Sequence, residues 1–239
     1  MLAFNSDATL KRDMLAELAE HRKMDQIIKG TYGIGTNGDF KGCAVGCSIR
    51  SLNRKRGTKY EHGDHKAYEA GFGIPRQLAY LEDRMFENLP DGLHLKWPER
   101  FMRAINPGAD LSLVMPKFML WLLMDRKDGV IQYAGTSKSV ESAIEGVAAL
   151  YERFLKGDKP TAAQWEAARR AAYAAADAAA AAYAAADAAD AADAADAAAA
   201  ADAADAAYAA ADAARLHVYA LTAEAVRSII LLADFPREY

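Results

Sequence analysis

The sequence predicts a mainly α protein: a helical body with a small β-hairpin or glycine-rich loop element, and an alanine-rich long helix or helical bundle at the C-terminus. Three observations predict it. Large apolar residues recur at helical spacing in several stretches before residue 156. Glycine gathers in one stretch, TYGIGTNGDFKGCAVGC, from Thr31 to Cys47. From Thr161 to Asp234 there is neither Gly nor Pro, and as far as about Arg215 alanine is interrupted almost only by Asp and Tyr. Alanine has the best intrinsic helix propensity, so that tract is read as helix.

Taken in order, Leu10, Met14 and Leu18, with Ile27 and Ile28 beyond, predict an amphipathic helix over 9–29 with Gly30 as its C-cap. Asn37-Gly38 is the strongest hairpin signal in the glycine-rich stretch. The polar, basic segment RSLNRKRGTKYEHGDHK reads as a surface loop. Pro75 suits a first helical turn, Leu78, Leu81, Met85 and Phe86 share a face, and Pro90-Asp91-Gly92 ends that helix. A short helix is expected from Pro98 to before Asn106. Asp110 is then an N-cap for 111–124, bent or restarted at Pro116; its Leu, Met, Phe and Trp make it the helix expected to be most buried. VIQYA after Gly129 reads as a short strand. A helix from Ser139 to Lys156 turns Val140, Ile144, Val147, Leu150 and Phe154 inward, with Gly157 closing it. Thr161-Ala-Ala-Gln164 has the form of a capping box and opens the alanine-rich tract.

Two regions follow from this, a helical body at 1–158 and an Ala/Asp/Tyr-rich helical region at 159–239 that docks back through 216–235. Their charge differs. Residues 1–160 hold 24 Lys and Arg against 21 Asp and Glu, a net of +3, and 161–239 hold 5 against 12, a net of −7. An acidic tail is a poor surface for nucleic acid or anionic lipid. Winding the tract at 100° per residue gathers Asp with Trp165, Tyr183 and Tyr208 on one side and leaves a bare alanine face opposite. The bare face suits close packing, and Tyr183, Asp187, Asp205 and Tyr208 are the candidate binding residues for a protein partner or a small nucleotide ligand. Self-association into a homo-oligomer and an ice-binding-like structural role are further readings. No apolar run is long enough to span a bilayer, and two cysteines without a secretory leader point to the cytoplasm.

Cys43, Cys47, His62 and His65 are the only set with obvious chemistry in the sequence. Thiolate and imidazole are the usual zinc ligands, and four of them can close a tetrahedral site, although His-x2-His is tighter than the common spacing. With zinc as cofactor, or with Cys43 or Cys47 activated by His65 and oriented by Asp64 or Glu69, this region would serve an enzyme. Two buried cysteines beside close-packed glycines are the plainer alternative, with no cofactor at all.

The runs GCAVGCSI, DHKAYEAGFGIPRQLAYLEDRMFENLP and WPERFMRAINPGADLSLVMPKFMLWLL resemble a group of bacterial and phage proteins with alanine-rich, aromatic-punctuated C-termini. The resemblance implies an accessory gene of phages or mobile elements, among which host-factor and defence inhibitors are common; it implies no reaction and no residue role. The expectation is therefore a non-enzymatic accessory protein that binds a host partner or a signal nucleotide through its acidic helical surface. A zinc- or cysteine-dependent enzyme is the alternative.

Overall fold

The computed structural model describes residues 1–134 and 137–175, and these are helical with no strand among them. They fall into two compact units, 1–115 and 116–175. The expected docking segment 216–235 and the candidate binding residues Tyr183, Asp187, Asp205 and Tyr208 lie outside the described residues.

In the first unit, α1 (Ala8–Lys23) starts where the Asp7 carboxylate accepts the backbone N–H groups of Thr9 and Leu10, at 2.8 and 3.1 Å. It ends earlier than the periodicity predicts. Asp25 turns left-handed at φ 51°, which takes Ile27 out of the helix and into the core, beside Gly42. Ile27 is buried as expected, but by a loop.

The glycine-rich stretch is an ordered loop. Ile34 and Lys41 exchange backbone hydrogen bonds, and Asn37–Asp39 makes a single 3₁₀ turn between them in place of a tight hairpin.

The central helix is α2 (Ala44–Arg56), which packs on α1, α3 (Lys66–Phe72), α4 (Arg76–Asn88) and α5 (Leu93–Ala104). Small side chains such as Ala44, Gly46, Ser48 and Ser51 let four neighbours approach it, and every residue from Ala44 to Leu52 except Arg50 is buried. Arg50–Arg56, expected in a loop, are the last turns of this helix. Cations suit a helix C-terminus, and here Arg54 and Lys55 pair with Glu17 while Arg56 pairs with Asp7. Gly57, left-handed at φ 67°, ends the helix.

Pro75 caps α4 as predicted, and the Pro90-Asp91-Gly92 break follows it. Helix α5 begins at Leu93, ahead of Pro98, so that proline lies inside it. Trp97 is buried with its indole N–H donating to the Glu82 carbonyl at 3.0 Å.

Helix α6 covers Val114–Met124. Asp110 caps the turn before it by accepting the Ser112 N–H, and Pro116 falls in its first turn, where a missing N–H costs no helical bond, so the helix does not restart. It is not the most buried helix. Val114 and Phe118 are buried while its other residues keep partial exposure, because a helix apolar on all sides must leave some apolar surface outward.

In the second unit VIQYA forms a 3₁₀ turn (Val130–Ala134) rather than a strand, packed on α7 (Lys138–Leu155). Ile144, Ala148 and Leu150 bury the inner face of α7, and Gly157 turns left-handed after it. The capping box is present at the head of α8, described over 162–175. The Gln164 side chain accepts the Thr161 N–H at 2.8 Å, and the Thr161 hydroxyl accepts the Gln164 N–H at 3.2 Å. Trp165 meets Tyr151 of α7 edge to face, with ring centroids 4.8 Å apart.

Candidate metal centre

The chemistry in the first unit converges on Asp83, a residue of α4. One turn later on the same face stands Glu87, since residues four apart on a helix are neighbours. The first turn of α2 brings Cys43 to this face, and the glycine-rich loop brings Tyr32. Glycines make that approach possible: β-carbons at Gly42, Gly46 or Gly63 would collide with the Tyr32 carbonyl or ring.

The two oxygens of Asp83 serve different sides. Its Oδ1 accepts from the Cys43 thiol at 3.4 Å. Its Oδ2 accepts from the Tyr32 hydroxyl at 3.1 Å and faces His65 Nε2 at 3.2 Å. The His65 ring is fixed as well, with Nδ1 3.0 Å from the Gly63 carbonyl, which can only accept, and with the Tyr80 ring stacked on it at 4.1 Å. Glu87 accepts the Gly30 N–H, at 2.9 Å to its nearer oxygen. Ligand atoms of Cys43, Asp83 and Glu87 all lie within 4.8 Å of one another. Tyr32 and Tyr80 border this group and are exposed.

Burial favours the protonated form of Cys43, Tyr32 and Glu87. Burial pushes the Cys43 thiol well above its usual range and Asp83 adds to the effect, against the N–H groups of Gly46 and Val45. Burial and then Asp83 hold the Tyr32 phenol up at about 12. The Glu87 carboxyl is raised by burial, with Asp83 reinforcing and the Gly30 N–H and Lys29 opposing. A divalent cation reverses this logic, because it favours thiolate and carboxylate directly.

Of the four residues singled out as zinc ligands, Cys43 and His65 meet on Asp83. Cys47 turns its sulfur to the carbonyls of Gly42 and Gln26, and burial raises its thiol to about 12. His62 packs edge-on against Phe40, centroids 5.0 Å apart. The carboxylates first considered as orienters do other work: Asp64 accepts the Lys66 N–H, and Glu69 accepts the Arg76 N–H. The residues missed were Asp83, Glu87 and Tyr32. A signal existed for two of them, an i, i+4 acidic pair on a confidently periodic helix.

Compared with family models, with curated proteins and with solved structures, the chain matches none.

Behind this face lies a second polar group. Glu82, Tyr68 and Ser48 are completely buried, and the oxygens of their side chains make no hydrogen bond of ordinary geometry. Burial pushes the Glu82 carboxyl up to about 8, opposed by the adjacent Tyr68 hydroxyl. A protonated Glu82 avoids an uncompensated buried charge. Among the described residues no helix is long and apolar enough to cross a membrane.

Proposed function

We propose that this protein binds a divalent cation of the zinc class through Cys43, Asp83 and Glu87, with His65 and Tyr32 holding Asp83 in position. The observation that carries it is the convergence within 4.8 Å of a thiol at the head of α2 and two carboxylates of α4, one of which has its other oxygen already oriented. Ligand atoms around a zinc ion stand about 3–4 Å apart, given bonds of ~2.0–2.3 Å, so a small contraction closes the set. Three protein ligands beside an exposed rim is the ligand count of zinc sites that activate a bound water. A thiol nucleophile is less well supported: Cys43 is buried, its proton faces Asp83, and His65 stands on the far oxygen of that carboxylate, where it cannot take the thiol proton directly.

Elemental analysis of protein purified from zinc-supplemented medium tests the reading. One equivalent of metal is expected in the wild type and in Cys47→Ala and His62→Ala, and none in Cys43→Ala or Asp83→Asn. Metal lost with Cys47 or His62 would return the site to the Cys/Cys/His/His set. Metal absent throughout would remove both.

The net charge of −7 over 161–239 favours a separate role for the acidic segment that includes Tyr183, Asp187, Asp205 and Tyr208, in binding a host protein or a nucleotide. Equal recovery of partners from host lysate by full-length and tail-deleted protein would count against it.

A further inference from the structure

On the other side of α2 a second set of residues stands in the order that nucleophilic catalysis requires. Gln26, in the loop after α1, donates from Nε2 to the Gly38 carbonyl at 3.2 Å, which turns its Oε1 to His21. That oxygen lies 2.6 Å from His21 Nδ1. An amide oxygen only accepts, so Nδ1 carries the ring proton. In the neutral ring Nε2 is then the acceptor, and Ser51 Oγ, 2.9 Å away, donates to it. Burial lowers the pKa of His21, with the Gln26 hydrogen bond and Glu17 acting in the opposite sense and Arg54 and Arg50 in the same sense.

These three residues border a cleft of about 400 Å³, which Arg50 and Arg54 also line. That volume is within the range of small-ligand sites, roughly 300–1,000 Å³. Arg50 is positioned over the Phe40 ring, 4.3 Å from its centroid, and Arg54 by its pairing with Glu17. The cleft thus combines a hydroxyl hydrogen-bonded to an imidazole, an amide that fixes the imidazole tautomer, and walls on which Glu17 and Glu20 stand beside Arg50 and Arg54.

We propose that Ser51, His21 and Gln26 form a nucleophile, base and orienter for acyl transfer from a small ester bound in this cleft. Ser51 Oγ bonds to the ester carbonyl carbon as its proton passes to His21 Nε2. The carbon–alkoxy bond then breaks, and the alcohol leaves with that proton. Water repeats the sequence: its oxygen bonds to the acyl carbon, its proton goes to Nε2, and the Ser51 Oγ–carbon bond breaks, Oγ recovering the proton as the carboxylic acid departs. Gln26 accepts from Nδ1 throughout, and Glu17 offers the negative charge that a transient imidazolium needs.

Ser51 is itself buried, so a reagent must enter the cleft to reach it. The test is phenylmethanesulfonyl fluoride, a small reagent for activated serines, incubated with the full chain and followed by intact mass and peptide mapping. One adduct on Ser51 is expected, absent from Ser51→Ala and formed at least about 100-fold more slowly in His21→Gln, the usual scale of general-base assistance. The wild-type rate should rise with pH and level off once His21 is neutral. The wild type alone can decide the matter whether or not the variants fold: no adduct, or adducts only at other residues, overturns the proposal. So does an adduct on Ser51 that forms as fast in folded His21→Gln. Added chelator should leave the labelling unchanged, which separates this outcome from the fate of the metal site.

Discussion

The backbone carbonyl of Tyr32 lies directly over Gly46, in the space that a β-carbon there would occupy. This contact seats the glycine-rich loop on the first turn of α2 and aims the Tyr32 hydroxyl at Asp83. Gly46→Ala therefore has to displace the loop, although alanine is the better helix former. Overpacking of this kind costs about 1–3 kcal/mol, against a gain of up to ~1 kcal/mol in propensity. Urea denaturation should show a net loss of stability, and the variant should bind metal more weakly. A more stable Gly46→Ala would mean that the loop does not rest where it is described.

Metal affinity at the Asp83 centre should depend on pH in a defined direction. The Cys43 thiol is held protonated through the neutral range, so binding has to release its proton. Affinity should rise about tenfold per pH unit between roughly pH 6 and 8 on that account alone. The raised Glu87 carboxyl adds to the slope at the acid end. Competition with a chromophoric chelator measures this, and a flat profile would exclude Cys43 as a ligand. Replacing His65 by Gln, which releases one restraint on Asp83 Oδ2, should cost roughly 10–100-fold in affinity, the usual scale for partners behind a ligand.

Much of the fold was legible because helix signals are local. Pro75, the Pro90-Asp91-Gly92 break, Gly157 and the Thr161–Gln164 pair all mark ends of helices where they were read. What misled was burial reached by other means than a helix face. Ile27 continues the period of α1 but enters the core from a loop, and the basic run after Arg50 looked like solvated loop because its partners, Glu17 and Asp7, are far away in sequence. The candidate site was half legible for the same reason. Cys43 and His65 could be singled out by residue type, whereas Asp83 and Glu87 are common residues on an amphipathic helix. Only the packing of α4 against α2 places them beside a thiol.

Thr161 and Gln164 satisfy each other's backbone N–H groups at the head of α8. Thr161→Ala removes the hydroxyl that accepts the Gln164 N–H, and a lost N-cap costs about 1 kcal/mol. The cost should be local. Amide exchange at Gln164 and its neighbours should speed up severalfold, while amides in α2 keep their rates. Unchanged exchange at Gln164 would show that the box does not hold the helix start.

Glu82 gives the sharpest stability test, because its carboxyl is completely buried. Its carboxyl titrates near 8 in the folded chain and near 4.5 when unfolded. Between those values the folded state keeps a proton that the unfolded state has lost, so this contribution is complete below pH 4.5 and is lost as pH rises through 8. Glu82→Gln keeps the shape, stays neutral at every pH and can donate to the unpartnered oxygens of Tyr68 and Ser48. The variant should match the wild type below about pH 4.5, draw ahead of it as pH rises towards 8, and keep a constant lead above that. One pKa unit is worth ~1.4 kcal/mol, so a shift from 4.5 to about 8 should open a gap on the order of 5 kcal/mol by pH 9, or roughly 10–20 °C in Tm. Glu82→Ala, which leaves a cavity and the same two oxygens unpartnered, should be destabilised at all pH values. Thermal melts with chelator present keep any cation at the neighbouring Asp83 out of the comparison. Parallel curves for the wild type and Glu82→Gln from pH 5 to 9 would show that Glu82 reaches water in the folded chain.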